Sequence, residues 1–324
     1  MYDRKSQYEK EQQSATEADL KQIPNAWMQC MRLGNFEEAW KLSDKVLAAG
    51  VNRDPQLPRH YQCVWDGRPL TGKRVLVRCY HGLGDTIQFI RYIPKLKQIA
   101  KEVIVWAQEQ LLELLKGIPG IDLLLPLHDG APEVSYDVDL EVMELPFIFR
   151  TTLNTIPCKI PYLHVQPLSL SDENKFNVGL VWQSGNWNQS RCIPFEALAP
   201  LAALKNVNLY ILQANAEEAG WKEGFGIHPG AFDLYNYAKV IRGLDLMISA
   251  DSMPAHLAGA MNVPVWTILH DQADWRWMNE RTDSPWYPSM KLFRQQEQGN
   301  WTKVIEEVKE ELQNLADRSK NLIS

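Results

Sequence analysis

The chain has 324 residues, 45% of them hydrophobic and 23% charged, with a formal net charge of −6. That balance argues against a nucleic-acid binder, which ordinarily carries a basic face, and no apolar run reaches the roughly 18–20 residues that a membrane span needs. Met1-Tyr-Asp-Arg-Lys-Ser6 offers no apolar core for a secretory leader. Five scattered cysteines (Cys30, Cys63, Cys79, Cys158, Cys192) include no CxxC pair, a pattern expected of reduced thiols in a cytoplasmic protein without a metal site.

Residues 1–13 are polar and charged and are expected to be a mobile lead-in. Residues 16–32 and 36–49 have the spacing of two amphipathic helices, broken at Gly34-Asn35 and stopped by Gly50. Met28, Met31, Leu33, Phe36, Ala39, Trp40, Leu42, Val46 and Leu47 form their apolar seam. The phrase from Arg32 to Trp40 resembles the inter-helix turn of a tetratricopeptide repeat. Only one such unit is visible, where a solenoid needs about three. A hairpin packed on the next domain is therefore the preferred expectation, with a protein partner on that hairpin as the other.

Residues 52–73, with Pro55, Pro58, Gly67 and Pro69, read as a linker. An alternation of apolar β-branched strands and helices follows: strand 74–80, helix 85–99, strand 102–107, helix 108–116, strands 121–125 and 136–140. After a polar stretch at 166–176 the pattern restarts with strand 177–183, helix 194–204, strand 207–213, helix 235–242, strand 244–250, helix 253–262 and strand 263–269. Residues 300–318 form a last amphipathic helix. This alternation predicts two doubly wound α/β domains. The expected division is a tail and hairpin over 1–60, a first Rossmann-like (acceptor) domain over 61–170, and a second (donor) domain over 171–324.

Two turns stand out: His81-Gly-Leu-Gly-Asp85-Thr86 after strand 74–80, and Asp251-Ser-Met-Pro-Ala-His256-Leu-Ala-Gly259 after strand 244–250. A strand that ends in a tight polar turn and feeds a helix aims free N–H groups at one spot, which suits an anion. One such turn in each half predicts two domains facing a cleft.

With Leu180-Val-Trp182 and Arg191-Cys-Ile-Pro194, these turns resemble glycosyltransferase family 9, whose best-known members are the ADP-heptose:lipopolysaccharide heptosyltransferases. Trp65–Lys73, Gly82–Phe89, Ala273-Asp-Trp-Arg-Trp277, Ser284-Pro-Trp-Tyr-Pro288 and Leu292–Gln295 are most similar to a bacterial branch in which the domain follows tetratricopeptide repeats. The resemblance spans about residues 62–315. It implies a GT-B fold, a nucleotide-diphosphate sugar as co-substrate, no cofactor or metal, and a final helix crossing back to the first domain.

The resemblance places the family's catalytic aspartate at Asp85 and its diphosphate-binding basic residue at Arg191. Read from the residues alone, Asp85 is equally an N-cap for a helix starting at Thr86, and Arg191 an exposed loop arginine. Asp251, Ser252, Met253 and His256 are candidates for the diphosphate, although His256 also reads as a packed core histidine. Gly82 and Gly84 suit close backbone approach to a ligand or simply a tight turn. Gln183, Ser184 and Gly185 end a strand at the expected cleft, while Gln213 and Glu217 follow the next strand and are weak nucleotide candidates. The family's Asp-Thr-Gly is Asp251-Ser-Met253 here, and the branch's Asp-Thr-Ala is Asn236-Tyr-Ala238.

Competing motifs are fewer. Gly82-Leu-Gly84 begins a dinucleotide fingerprint, but Ile87 stands at its third glycine. Asp137, Asp139 and Glu141 resemble a metal-binding Asp-x-Asp, and the plainer expectation is a solvated strand face. Trp275, Trp277, Trp286 and Tyr287 suit either ring stacking on a ligand or a core. The resemblance thus implies an inverting, metal-independent glycosyltransferase. A catalytically silent sugar-nucleotide-binding scaffold and an NAD(P)-dependent oxidoreductase are the alternatives, and sugar, base and acceptor are left unspecified.

Overall fold

A computed structural model describes residues 17–49, 63–170, 175–185 and 188–323, without the side chains of 17–21 and 320–323. The lead-in at 1–13, the stop at Gly50, the first part of the 52–73 linker and part of the 166–176 stretch lie outside the described residues.

Helices α1 (Glu17–Arg32) and α2 (Phe36–Ala48) form the expected hairpin. Gly34 adopts φ +77°. The Asn35 N–H then reaches back to the Cys30 carbonyl at 2.8 Å and that of Gly34 to Met31 at 3.0 Å, a helix stop that a β-carbon would strain.

The first domain holds β1 (Arg74–Arg78), α3 (Leu83–Phe89), α4 (Ile93–Lys97), β2 (Glu102–Ala107), α5 (Leu112–Leu115), β3 (Leu123–Pro126), β4 (Val138–Glu141) and α6 (Leu145–Ile148). The second holds β5 (Phe176–Val181), β6 (Val207–Ile211), α7 (Leu234–Arg242), β7 (Leu246–Ala250), α8 (Met253–Ala260), β8 (Val265–Leu269), β9 (Met290–Arg294) and α9 (Thr302–Ile323). The sheets are ordered β3-β2-β1-β4 and β6-β5-β7-β8-β9, and every pairing is parallel. In each sheet the order reverses beside the first strand, between β1 and β4 and between β5 and β7. The carboxyl ends of strands at such a reversal open onto a crevice. Both turns singled out in the sequence leave strands that flank these two points.

Several elements differ from the expected ones. Residues 194–204 were expected as an α-helix, but Phe195–Ala203 is a 3-10 helix. Pro200, which lacks an N–H and crowds the preceding turn, disfavours the α form there. The expected 85–99 helix begins at Leu83 and passes through a 3-10 turn at Ile90–Tyr92 before Pro94 opens α4. Strand β9 had no counterpart among the expected strands. Asp139 and Glu141 are not on a solvated face: both are buried in β4, and Asp139 pairs with buried Arg78 at 2.8 Å.

The core is shared across the domains. One apolar cluster runs from the hairpin (Met31, Phe36, Trp40) through Phe89 and Ile90 to Leu257, Trp275 and Trp286. A second cluster joins the other face of the second sheet to Trp301, Val304, Ile305, Val308 and Leu312. The apolar face of α9 is therefore buried within the second domain's own core.

Candidate functional site

The site is built where α3 and α8, the helices opened by the two turns, pack directly against each other. Gly84 is the contact point: a β-carbon there would stand 2.9 Å from His256 Cδ2 and 3.5 Å from Met253 Cα. At this position the glycine admits the opposing helix rather than a ligand.

Asp85 is the third residue of α3, with Gly82 as N-cap. It is therefore not the N-cap of a helix starting at Thr86. Its Oδ2 accepts the Gly82 N–H at 3.0 Å, the reach-back half of a capping box. Its Oδ1 accepts from Arg276 Nη2 of the second domain. Each carboxylate oxygen keeps a lone pair for a further hydrogen bond.

Arg276 comes from the 3-10 turn Trp275–Trp277, which Asp274 caps by accepting the Arg276 N–H at 3.0 Å. Its Nη1 donates to Asp274 Oδ1 at 2.8 Å and its Nε to Gln88 Oε1 at 2.7 Å. Burial works against its charge, and Asp274 and Asp85 outweigh that cost, leaving it more basic than an ordinary arginine. This residue was not among the sequence candidates. The signal was present in Ala273-Asp-Trp-Arg-Trp277, but nothing in that segment says its guanidinium crosses to Asp85.

On the facing side, Asp251 and Ser252 link β7 to α8. Burial raises the Asp251 carboxyl to about 6, with Asp274 adding to the rise and Arg191 and Arg276 opposing it. Arg191 is buried rather than exposed, and its Nη1 donates to the Asp251 carbonyl at 3.0 Å. Ser252 is the N-cap of α8, and its Oγ turns back to the Ala250 carbonyl at 3.2 Å. Met253 packs against the shared core.

His256 is enclosed. Its Nδ1 lies 3.0 Å from the Tyr287 hydroxyl, and its ring stacks on Trp277 with centroids 5.3 Å apart. Burial, reinforced by Arg276, Arg91 and Arg191, pulls its pKa well below the usual histidine value, so the ring is neutral at pH 7. Trp275, Trp277, Trp286 and Tyr287 are all buried, which makes them core.

The remaining candidates sit at the ends of β5 and β6. Gln213 Oε1 accepts the backbone N–H groups of Trp182 and Gln183 at 3.1 and 2.8 Å, tying the two strand ends together. Gln183 Nε2 donates to the Ala219 carbonyl at 3.3 Å. Ser184 Oγ lies 3.7 Å from Cys192 Sγ, and Gly185 is exposed with open space where a β-carbon would stand. Glu217 is exposed on the turn after β6. The structure thus gathers Asp85, Gly82, Gly84, Asp251, Met253 and His256 around one interface, with Arg191 and Ser252 at its rim. Gln183–Gly185 and Gln213 lie along the neighbouring strand ends. Among the described residues, no group of three or more His, Cys, Asp or Glu is placed to hold a metal ion.

The hairpin bridges both domains. Phe36 stacks on Trp286 (centroids 6.2 Å), Trp27 meets Trp275 edge-on (5.6 Å) and Trp40 packs on Phe147 (5.9 Å). Trp40 Nε1 donates to the Thr151 carbonyl at 2.6 Å, and the Asn279 N–H donates to the Arg32 carbonyl at 3.1 Å. The apolar seam offered in sequence as a partner surface is largely spent inside the molecule.

Comparison with known proteins points the same way. Residues 207–312 match the family model of glycosyltransferase family 9 (heptosyltransferase). Protein FlbA of Caulobacter vibrioides is 23% identical over 326 residues, a match covering 88% of this chain and 54% of FlbA. The chain thus spans about half the length of that curated relative. A glycosyl transferase family 9 structure from Veillonella parvula has a TM-score of 0.52 at 15% identity, covering 79% of this chain and 99% of the other. ADP-heptose lps heptosyltransferase II of E. coli has a TM-score of 0.51 at 15% identity, covering 76% and 99%. The resemblance is therefore to glycosyltransferase family 9, carried by sequence over residues 207–312 and by the GT-B architecture over both sheets.

Proposed function

We propose that this chain moves a sugar from a nucleotide-diphosphate sugar to an acceptor hydroxyl, with inversion and without a metal. The observation that carries this reading is the meeting of two strand-end turns from two domains, one bearing Asp85 and the other Asp251 and Ser252, with Arg191 reaching the Asp251 carbonyl from the 3-10 turn after β5. Kinship to the repeat-linked branch is part of the proposal, supported by the segments at 65–73, 82–89 and 273–277.

In this reading the acceptor oxygen forms a bond to the anomeric carbon as the bond from that carbon to the diphosphate oxygen breaks. The acceptor proton passes to Asp85, which needs a carboxylate within hydrogen-bond reach of the hydroxyl. The leaving nucleoside diphosphate carries away the electron pair. Its growing charge is met by the guanidinium of Arg191 and the N–H groups at the start of α8. Neutral His256 acts by packing, holding α8 against α3.

A catalytically silent nucleotide-sugar binder is the second reading, favoured by the His256 ring and the Met253 backbone packed where Gly84 faces α8. A thermal-shift panel of nucleoside diphosphates and nucleotide sugars, run on wild type and Arg191→Ala, addresses donor binding. A ligand at about 100 times its Kd adds roughly 2.7 kcal/mol. The proposal expects one base to give such a shift and Arg191→Ala to lose it. A response to NADH alone would remove the transferase reading. Binding without nucleoside diphosphate release in any acceptor mixture would leave the silent binder.

A further inference from the structure

The guanidinium of Arg276 joins the two halves of the site. It is only 7% exposed, and all three of its nitrogens are engaged. Nη1 is on Asp274 of its own turn, while Nε and Nη2 are on Gln88 and Asp85 of the first domain. Its Cζ lies over the rings of Trp275 and Phe89, 4.9 and 5.3 Å from their centroids. Its carbonyl accepts from Trp286 Nε1 at 3.0 Å. Gln88 is itself anchored, its carbonyl accepting from Arg91 Nε at 2.7 Å. A group held from two domains and two ring faces has one setting, and it imposes that setting on whatever it binds. Lysine, a point charge without the planar fork, cannot reproduce it.

We propose that Arg276 is the positioning residue for Asp85, fixing which lone pair of its carboxylate faces an acceptor and making that setting depend on the contact between the domains. The proposal rests on the reading of Asp85 as the base. With Gly82 N–H on Oδ2 and Arg276 on Oδ1, the carboxylate is held at both oxygens, and the lone pairs left over are aimed by the protein rather than by chance. The ionisable groups around this pair are Glu141 of β4 on the Asp85 side, with Asp274, Asp251 and His256 on the Arg276 side. Arg276 is the cation hydrogen-bonded to Asp85, and its planar fork fixes how that carboxylate is turned. Removing it should leave a base that is present but misplaced, so that turnover falls while donor affinity holds, a split that loss of folding does not produce.

The test follows the full-length chain in two ways. Carboxyl-carbon NMR on aspartate-labelled protein, with the Asp85 signal assigned by Asp85→Asn, reports whether that carboxylate keeps its wild-type setting in Arg276→Gln and Arg276→Lys. Nucleoside diphosphate release from the donor identified by thermal shift is measured in the same proteins. In Arg276→Gln the Asp85 signal should move and kcat should fall at least tenfold while the donor KM stays within twofold. Arg276→Lys, which keeps the charge but not the planar fork and is the safer variant for folding, should also lower kcat at an unchanged donor KM. An unmoved Asp85 signal or an undiminished kcat in a folded Arg276→Gln protein would overturn the proposal, as would a loss confined to KM. Turnover that survives Asp85→Asn would instead remove the base reading, whatever the NMR signal shows.

Discussion

Gly84 and His256, from turns in opposite halves of the chain, touch: the space a β-carbon would need on Gly84 is taken by the imidazole at 2.9 Å. Helix propensity alone favours alanine over an interior glycine by roughly 0.5–1 kcal/mol. The contact predicts the opposite sign. His256 is held by Tyr287 and Trp277 and cannot swing away. Gly84→Ala should therefore destabilise the chain by about 1–3 kcal/mol, read as a lower urea midpoint.

Glu141 sets a pH dependence of stability. Burial lifts its folded pKa to about 8, with Glu144 and Asp85 adding to the rise, against about 4.3 in an unfolded chain. Between those values the folded state holds a proton that the unfolded state releases, so stability falls as pH rises from roughly 4 to 8. Asp251 acts in the same sense up to about 6, and His256, kept neutral, acts in the opposite sense below about 6.5. Glu141→Gln, which keeps the neutral shape, should flatten the fall of Tm above pH 6. At pH 8 it should gain on the order of a few kcal/mol over wild type.

Trp40 separates a hydrogen bond from a packing contribution. Trp40→Phe retains a ring against Phe147 and Phe36 but leaves the buried Thr151 carbonyl without its 2.6 Å donor. A loss of about 1–3 kcal/mol is expected. Trp40→Ala, which opens a cavity where the hairpin meets the first domain, should cost about 3–5 kcal/mol. Equilibrium unfolding of the two variants side by side gives both numbers.

The buried pair Arg78–Asp139 should tolerate no half-removal. Arg78 is surrounded by the rings of Tyr80, Trp106 and Tyr136 at 5.3–5.6 Å, so Arg78→Met takes the buried Asp139 carboxylate's guanidinium away and puts nothing polar in its place. A loss of about 3–5 kcal/mol is expected. The double variant Arg78→Met/Asp139→Leu should recover much of it, as a double-mutant cycle would show.

Much of this architecture was readable because parallel strands buried on both faces are continuous apolar runs. Val75–Val77, Val103–Trp106 and Leu246–Ile248 announce themselves by composition, and the hairpin stop at Gly34-Asn35 follows from one glycine. Local chemistry also explains the misses. Pro200 turned an expected α-helix into a 3-10 helix, and β9 lay among Trp-rich segments whose pattern is neither helical nor alternating. The sequence placed Asp85 and Asp251 on helix-opening turns because such turns have local signatures. It did not show that Arg276, 191 residues from Asp85, reaches it, nor that Asp139 is paired. Those contacts depend on how two sheets meet, which no spacing within either of them encodes.

The aromatic seam beneath the hairpin has an optical consequence. Trp27, Trp40, Trp275 and Trp286 are linked by centroid separations of 5.6–6.3 Å, close enough for their excited states to couple. Of the chain's twelve tryptophans, these four join the helices in front of the first sheet to the turn that carries Arg276. Any shear between the domains changes their mutual angles before it breaks a strand. The molecule therefore carries its own gauge of how hairpin and turn are set against each other, a near-ultraviolet dichroism fixed by geometry at the seam and readable without a label.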